Sequence, residues 1–228
     1  MPIIKDDSCT RTNSTVLKNY IDTYKTEFCA YDIPIVLFVG RLVEVKNLGT
    51  LFRACALLRD EYHLLIVGDG PMRQQWQMDA NNLNINCTFL GQKNDEELEA
   101  IYRIASVFAL PSTMEAFGAV TNEALLAGCY CCISSNAGSA CLIENGVNGY
   151  TFNPYNAEEL AKKISYLLRR EKKEESLMPN SFDTYMQELS LHLLRIQYQQ
   201  SLVLMICQKY QACNHHRYSY LRRLHICY

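Results

Sequence analysis

The sequence predicts an α/β fold, a doubly wound parallel sheet, and three observations carry that prediction. Apolar runs such as Ile35-Val-Leu-Phe-Val39 and His63-Leu-Leu-Ile-Val67 are continuous rather than alternating, as in parallel strands covered on both faces. Each run stops at a backbone breaker, Gly40 after the first and Gly68 after the second. Between the runs lie segments with apolar residues at helical spacing, and the alternation continues through residues 35–170.

The elements follow in order. After Ile35–Val39 and a short polar loop, Leu48, Leu51, Phe52, Cys55 and Leu58 share one helical face. The second strand, His63–Val67, ends in Gly68-Asp-Gly70, and Pro71 suits the first position of a helix through Trp76. Ile85, Cys87 and Phe89 alternate in a third strand that stops at Gly91. Asp95-Glu-Glu-Leu98 opens a helix with Leu98, Ile101 and Tyr102 on one side. Val107-Phe-Ala-Leu110 is a strand stopped by Pro111, and the stretch from Phe117 to Ala127 reads as a helix closed by Gly128. Tyr130 to Ile133 is a further strand, and Asn156-Ala-Glu-Glu159 has the form of a capping box before a helix through Leu168.

The flanks read differently. Residues 1–33 show no alternation and form an N-terminal remnant or linker; residues 34–170 are the sheet domain; residues 171–228 are a helical C-terminal extension. Residues 169–176 look like a charged linker or frayed helix end, and within the extension a helix is expected from Phe182 to about Tyr210. The formal net charge of −2 gives no overall attraction to nucleic acid or anionic lipid, so any phosphate site must be local. The start, Met1-Pro-Ile-Ile-Lys-Asp-Asp7, has charges where a secretory signal needs an apolar core, and no apolar run is long enough to span a bilayer. A reduced, cytoplasmic setting is expected, with membrane contact at most peripheral at the inner surface. Cys129, Cys131 and Cys132 are then core residues.

In a doubly wound sheet, ligands bind beyond the carboxyl ends of the strands. Gly40-Arg41 follows the first strand, with Lys46-Asn47 at the mouth of the next helix; two cations there suit an anion, or are two solvated side chains, and spacing alone does not decide. After Pro111-Ser112 comes Glu115-Ala-Phe-Gly118 and a helix carrying Glu123. Carboxylates accept from neighbouring hydroxyls, so a sugar or ribose is their natural partner, and the glycine allows close backbone approach; taken alone, Glu115 reads equally as an ordinary helix-start acid and Glu123 as a surface residue. Cys207, Cys213, His215, His216, His225 and Cys227 match no usual zinc spacing. Gly68-Asp-Gly-Pro71 lacks the third glycine of a dinucleotide fingerprint.

The segment Glu115-Ala-Phe-Gly-Ala-Val-Thr-Asn-Glu123 resembles the signature of retaining family 4 glycosyltransferases, the glycosyl transferases group 1. So do Val39-Gly-Arg41, Lys46-Asn47, Val67-Gly-Asp-Gly-Pro71, Phe89-Leu-Gly91, Pro111-Ser112, Glu123-Ala-Leu-Leu-Ala-Gly128 and Asn145-Gly-Val-Asn-Gly149, in order over residues 34–170. The resemblance implies a Rossmann-like domain, the second of a GT-B fold, that binds a UDP- or GDP-linked sugar. It implies that Gly40, Arg41 and Lys46 hold the diphosphate, with Arg41, Lys46 and Glu115 in the catalytic roles. Glu115 would contact the donor sugar, the backbone of Phe117, Gly118, Ala119 and Val120 the sugar and phosphate, and Glu123 the ribose hydroxyls. Gly91, Gln92 and Lys93 would lie near the base. It further implies transfer with retention to a saccharide or lipid-linked acceptor in cell-surface glycan synthesis, with no metal or other cofactor; no Asp-x-Asp motif occurs in the sequence.

Two departures stand out. Where the family often has Gly-Gly-x-Pro-Glu, this sequence has Ala137-Gly-Ser-Ala-Cys141. Residues 1–33 are also too few for the acceptor-binding domain, typically ~100 residues or more. The expectation is therefore the donor half of a glycosyltransferase, its acceptor domain absent or supplied by a separate chain. The alternative is a non-catalytic nucleotide-sugar-binding or assembly module, or an inactive fragment.

Overall fold

The computed structural model describes residues 14–29, 33–173 and 175–177. The apolar runs form a six-stranded sheet from β1 (Ile35–Val39), β2 (His63–Val67), β3 (Cys87–Gly91), β4 (Val107–Leu110), β5 (Tyr130–Ser134) and β6 (Gly149–Phe152). Every pairing is parallel and the strand order is β3-β2-β1-β4-β5-β6. β1, β4 and β5 are buried along their whole length, which is why their sequences are unbroken hydrophobic runs. The helices are α1 (Ser14–Phe28), α2 (Leu48–Ala56), α3 (Arg73–Asn82), α4 (Asp95–Ile104), α5 (Val120–Leu126) and α6 (Ala157–Leu168). α2 packs against α3 and α6, whereas α4 packs against α1 and α5, the two groups of a sheet covered on both faces.

The predicted fold class holds, and the differences lie at element ends. Pro71 does not open a helix that reaches only Trp76. The Met72 N–H donates to the Leu42 carbonyl of the loop after β1 (3.0 Å), so Pro71 and Met72 stay in a turn and α3 runs from Arg73 to Asn82. The helix expected from Phe117 starts only at Val120, because Gly118 has a φ of 87°, outside the helical region. Gly128, with φ 77°, stops the chain after α5 as expected. Asn94 makes a full capping box with Glu97, and Asn156 accepts from the Glu159 N–H at 2.9 Å. Two elements went unread, β6 and the helix α1. Along α1, Tyr20, Tyr24 and Phe28 stack ring on ring, and Phe28 meets His63 edge-on at 5.4 Å.

Cys129, Cys131 and Cys132 lie in the core. Burial pushes the Cys129 thiol up to about 11 and that of Cys132 up to about 12, so both are neutral small hydrophobes at pH 7. Among the described residues no helix is long and apolar enough to cross a membrane, and no cluster of His, Cys, Asp and Glu is placed to hold a metal. The expected helix from Phe182 to Tyr210 and the His and Cys residues beyond it lie outside the described residues.

The charged stretch after α6 turns two side chains inward. Arg170 donates to the carbonyls of Gly146 and Val147, at 3.1 Å each, with its guanidinium 4.4 Å from the centre of the Tyr130 ring. Lys172 donates to the carbonyls of Ala105 (2.5 Å), Ala127 (3.2 Å) and Tyr102 (3.4 Å), closing the ends of α4 and α5. Lys172→Met keeps most of the stem but leaves those carbonyls without the ammonium. It should lower the unfolding free energy at pH 7 by about 2 kcal/mol, the worth of one or two charge-assisted bonds, read by urea denaturation. Burial holds the Lys172 pKa below its ordinary value, so at alkaline pH the unfolded chain binds the extra proton. That contribution to stability rises with pH between the folded and unfolded values, and the rise should vanish in the variant.

Candidate functional site

The chain reverses its strand order between β1 and β4, the place where a doubly wound sheet opens a crevice. The loops after these strands carry the candidate residues. Asn47, with φ 52°, turns the backbone between a 3-10 turn at Glu44–Lys46 and α2. Its side-chain amide donates to the carbonyls of Pro111 (3.1 Å) and Pro154 (2.8 Å), tying the β1 loop to those after β4 and β6. The Thr113 N–H donates to the Val45 carbonyl at 2.8 Å, a second cross-link. Between these ties Lys46 forms an ion pair with Glu115, the side chains each 17% exposed. The structure therefore brings together two residues far apart in sequence.

The Glu115 backbone is held from the other side. Its N–H donates to the Asn136 carbonyl at 3.3 Å, and its carbonyl accepts from the Gly138 N–H at 3.0 Å. Ser139 donates its N–H to the Phe117 carbonyl at 2.7 Å and shares a hydroxyl–hydroxyl bond of 2.9 Å with Thr121. A side chain at Gly118 would lie 2.9 Å from Leu110 Cδ2, so the loop sits tight on the strand below. Among the described residues the N–H groups of Phe117, Gly118 and Ala119 have no backbone acceptor. Cys141, in the 3-10 turn Gly138–Leu142, is exposed. The loop stays docked on residues 115–121 through Gly138 and Ser139, without the proline and acid that the family often has.

Beyond the ends of β1, β2 and β3 lies a cleft of approximately 660 Å³, lined among others by Gly40, Arg41, Gly68, Gln92 and Lys93. Arg41 is exposed and its guanidinium has no ion-pair partner among the described residues. Lys93 is committed. Its ammonium donates to Glu97 Oε1 at 2.9 Å and stands 5.5 Å from the centre of the Tyr24 ring, while the Tyr24 hydroxyl donates to the same oxygen at 2.8 Å. Lys93 first, and Tyr24 second, hold the Glu97 carboxyl below its usual range. Glu123 is exposed and does not join Lys46 and Glu115. It lines a second cavity of approximately 320 Å³ between α4 and α5, and Leu98 borders both spaces.

Sequence reasoning thus named the two loops but not what aligns them. Asn47, Ser139, Thr121 and Tyr24 act through contacts at separations that no local pattern displays. For Asn47 the signal was partial, since asparagine is enriched where φ is positive.

The family model for glycosyl transferases group 1 matches residues 29–183. An uncharacterized glycosyltransferase of Methanocaldococcus jannaschii is 33% identical over 141 residues, covering 60% of this chain and 36% of that protein. A GalNAc-alpha-(1->4)-GalNAc-alpha-(1->3)-diNAcBac-PP-undecaprenol alpha-1,4-N-acetyl-D-galactosaminyltransferase of Campylobacter jejuni is 33% identical over 153 residues, covering 64% and 42%. The chain therefore spans well under half the length of these relatives. Among solved structures, sucrose-phosphate synthase from Thermosynechococcus elongatus aligns with a TM-score of 0.64 at 27% identity, covering 75% of this chain and 46% of that one. With the match covering most of its length and the signature residues on the two loops at the strand-order reversal, the chain belongs to the glycosyl transferases group 1 family.

Proposed function

We propose that this chain is the nucleotide-sugar-binding half of a retaining, metal-independent family 4 glycosyltransferase with a GT-B architecture. The observation that carries the reading is the Lys46–Glu115 pair at the strand-order reversal, beside the cleft that Arg41 and Gly40 line. Breaking a sugar–phosphate bond builds negative charge on the departing diphosphate. Arg41, Lys46 and the open N–H groups of Phe117, Gly118 and Ala119 stabilise that charge without reorganising. Glu115 accepts from hydroxyls of the transferred sugar, its own orientation set by Lys46. Glu123 accepts from the ribose, and Gln92 and Lys93 border the base. The acceptor is a saccharide or lipid-linked glycan bound by a separate domain, and the work is done on the cytoplasmic side, at most peripherally at the membrane. Relatives differ in acceptor: one is named for an undecaprenol-linked glycan and another for D-inositol 3-phosphate.

One observation favours a second reading. Cys141 stands where the family often has an acid, which suits a module that binds a nucleotide sugar without transferring it. Calorimetry with UDP and GDP, followed by radiolabelled sugar transfer with and without candidate acceptor-domain chains, separates the readings. Saturable binding of one diphosphate with transfer in the presence of a partner chain supports the transferase. Binding without transfer in any combination supports the second reading, and no binding of either nucleotide overturns both.

A further inference from the structure

The cavity between α4 and α5 holds a group that the proposed mechanism does not use. Tyr102 is 2% exposed, its ring packs edge-on against Phe108 at 6.1 Å, and its carbonyl accepts from Lys172. The residue is thus held at both ends. Its hydroxyl is buried yet has no hydrogen-bond partner among the described residues, and it belongs to the wall that Glu123 shares. A buried hydroxyl without a partner is rare and calls for a use. Among the neighbouring donors, Arg103 already turns two N–H groups on Glu99, at 3.0 and 2.8 Å. Glu123, on the exposed side of α5, forms no ion pair among the described residues, and its carboxylate is near enough to the Tyr102 hydroxyl to raise the pKa of that phenol.

We infer that Tyr102 is a positioning residue for Glu123: its hydroxyl donates to one carboxylate oxygen when a nucleotide binds and turns the other toward the ribose diol. The inference rests on the donor-site reading above. Burial first, and the charge of Glu123 next, raise the Tyr102 pKa, so the phenol remains a donor across the neutral range. A carboxylate has lone pairs enough to accept from the phenol and from two ribose hydroxyls together. Fixing its rotamer before contact removes an ordering cost from binding.

The test is calorimetry on the full chain with UDP and 2′-deoxy-UDP, and with GDP and 2′-deoxy-GDP in parallel. Wild type should favour the ribonucleotide, and Tyr102→Phe should weaken its binding about 5- to 10-fold, the net worth of one hydrogen bond. The 2′-deoxy nucleotide should lose much less, so the preference narrows, and in a Glu123→Ala background Tyr102→Phe should add nothing. The melting temperature without nucleotide should not fall, since only an unpaired hydroxyl is removed. Equal loss for both sugars, an unchanged preference, or a lower melting temperature that marks a structural hydroxyl overturns the Tyr102 assignment. A Glu123→Ala chain that keeps the full ribose preference instead overturns the underlying placement of the ribose, whatever Tyr102→Phe does.

Discussion

Lys46→Ala is expected to weaken nucleoside diphosphate binding by roughly 100-fold, about 3 kcal/mol, and Arg41→Ala by a comparable factor. Lys93→Ala, two strands further along, should change it by about threefold or less, the range of a charge already paired within the protein. The three are cations near one cleft, and their expected effects differ because their present partners differ. Lys46 is paired with Glu115 at the strand-order reversal, so on the proposed reading its removal deletes a phosphate contact and also releases an uncompensated carboxylate beside the phosphates. Arg41 faces the cleft, and no ion pair among the described residues occupies its guanidinium. Lys93 already satisfies Glu97 at 2.9 Å and lies over the Tyr24 ring, so little of its charge is left for a ligand. Titrating the three variants with UDP and GDP at fixed ionic strength checks the order. Equal curves for all three would sink the diphosphate assignment. Loss of melting temperature in Lys46→Ala would show instead that the ion pair serves the fold.

The contrast explains how far the sequence could be read. Strands such as Ile35–Val39 and Val107–Leu110 are buried on both faces, and a continuous apolar run has no competing explanation at that length. α1 was legible in principle: Leu17, Tyr20, Ile21, Tyr24 and Phe28 recur at helical spacing. It was missed because tyrosine is amphipathic and because four of the five apolar positions are also strand formers. β6 escaped because four residues beginning with a glycine give no periodicity. Lys172 reads from sequence as part of a charged linker or frayed helix end because a lysine among charges is almost always exposed, and only the carbonyls at the ends of α4 and α5 give it a reason to turn inward. In the candidate site the loops were visible through their spacing, whereas the separation of Glu123 from the Lys46–Glu115 pair depends on where α5 begins. That in turn depends on the φ of Gly118, which sequence does not display.

Gly68→Ala should be the most destabilising single-methyl change considered, about 4 kcal/mol or more, while the same change at Gly49 should stabilise by up to about 1 kcal/mol. Gly68 follows β2 with φ 124°, a conformation closed to side chains, and an added Cβ would lie 2.0 Å from the Gly40 carbonyl oxygen. Neither backbone can give way easily. The Gly40 N–H is bonded to the Val67 carbonyl at 3.0 Å, and the Gly68 N–H to the Gly91 carbonyl at 2.8 Å, so three loop bases are stitched edge to edge. Opening that seam would displace the loop that presents Arg41 and Lys46, so the variant should also bind nucleotide poorly at temperatures where it remains folded. Gly49 lies in α2 at an ordinary helical φ, and its nearest neighbour to an added Cβ is the flexible Arg53 side chain at 3.5 Å. Alanine there restricts the unfolded chain and costs nothing in the folded one. Thermal melts of the two variants should therefore move in opposite directions, with Gly68→Ala falling by roughly 10 °C. A Gly68→Ala chain that melts at the wild-type temperature would mean that the close approach of the β1 and β2 loops is not what the glycine at position 68 serves.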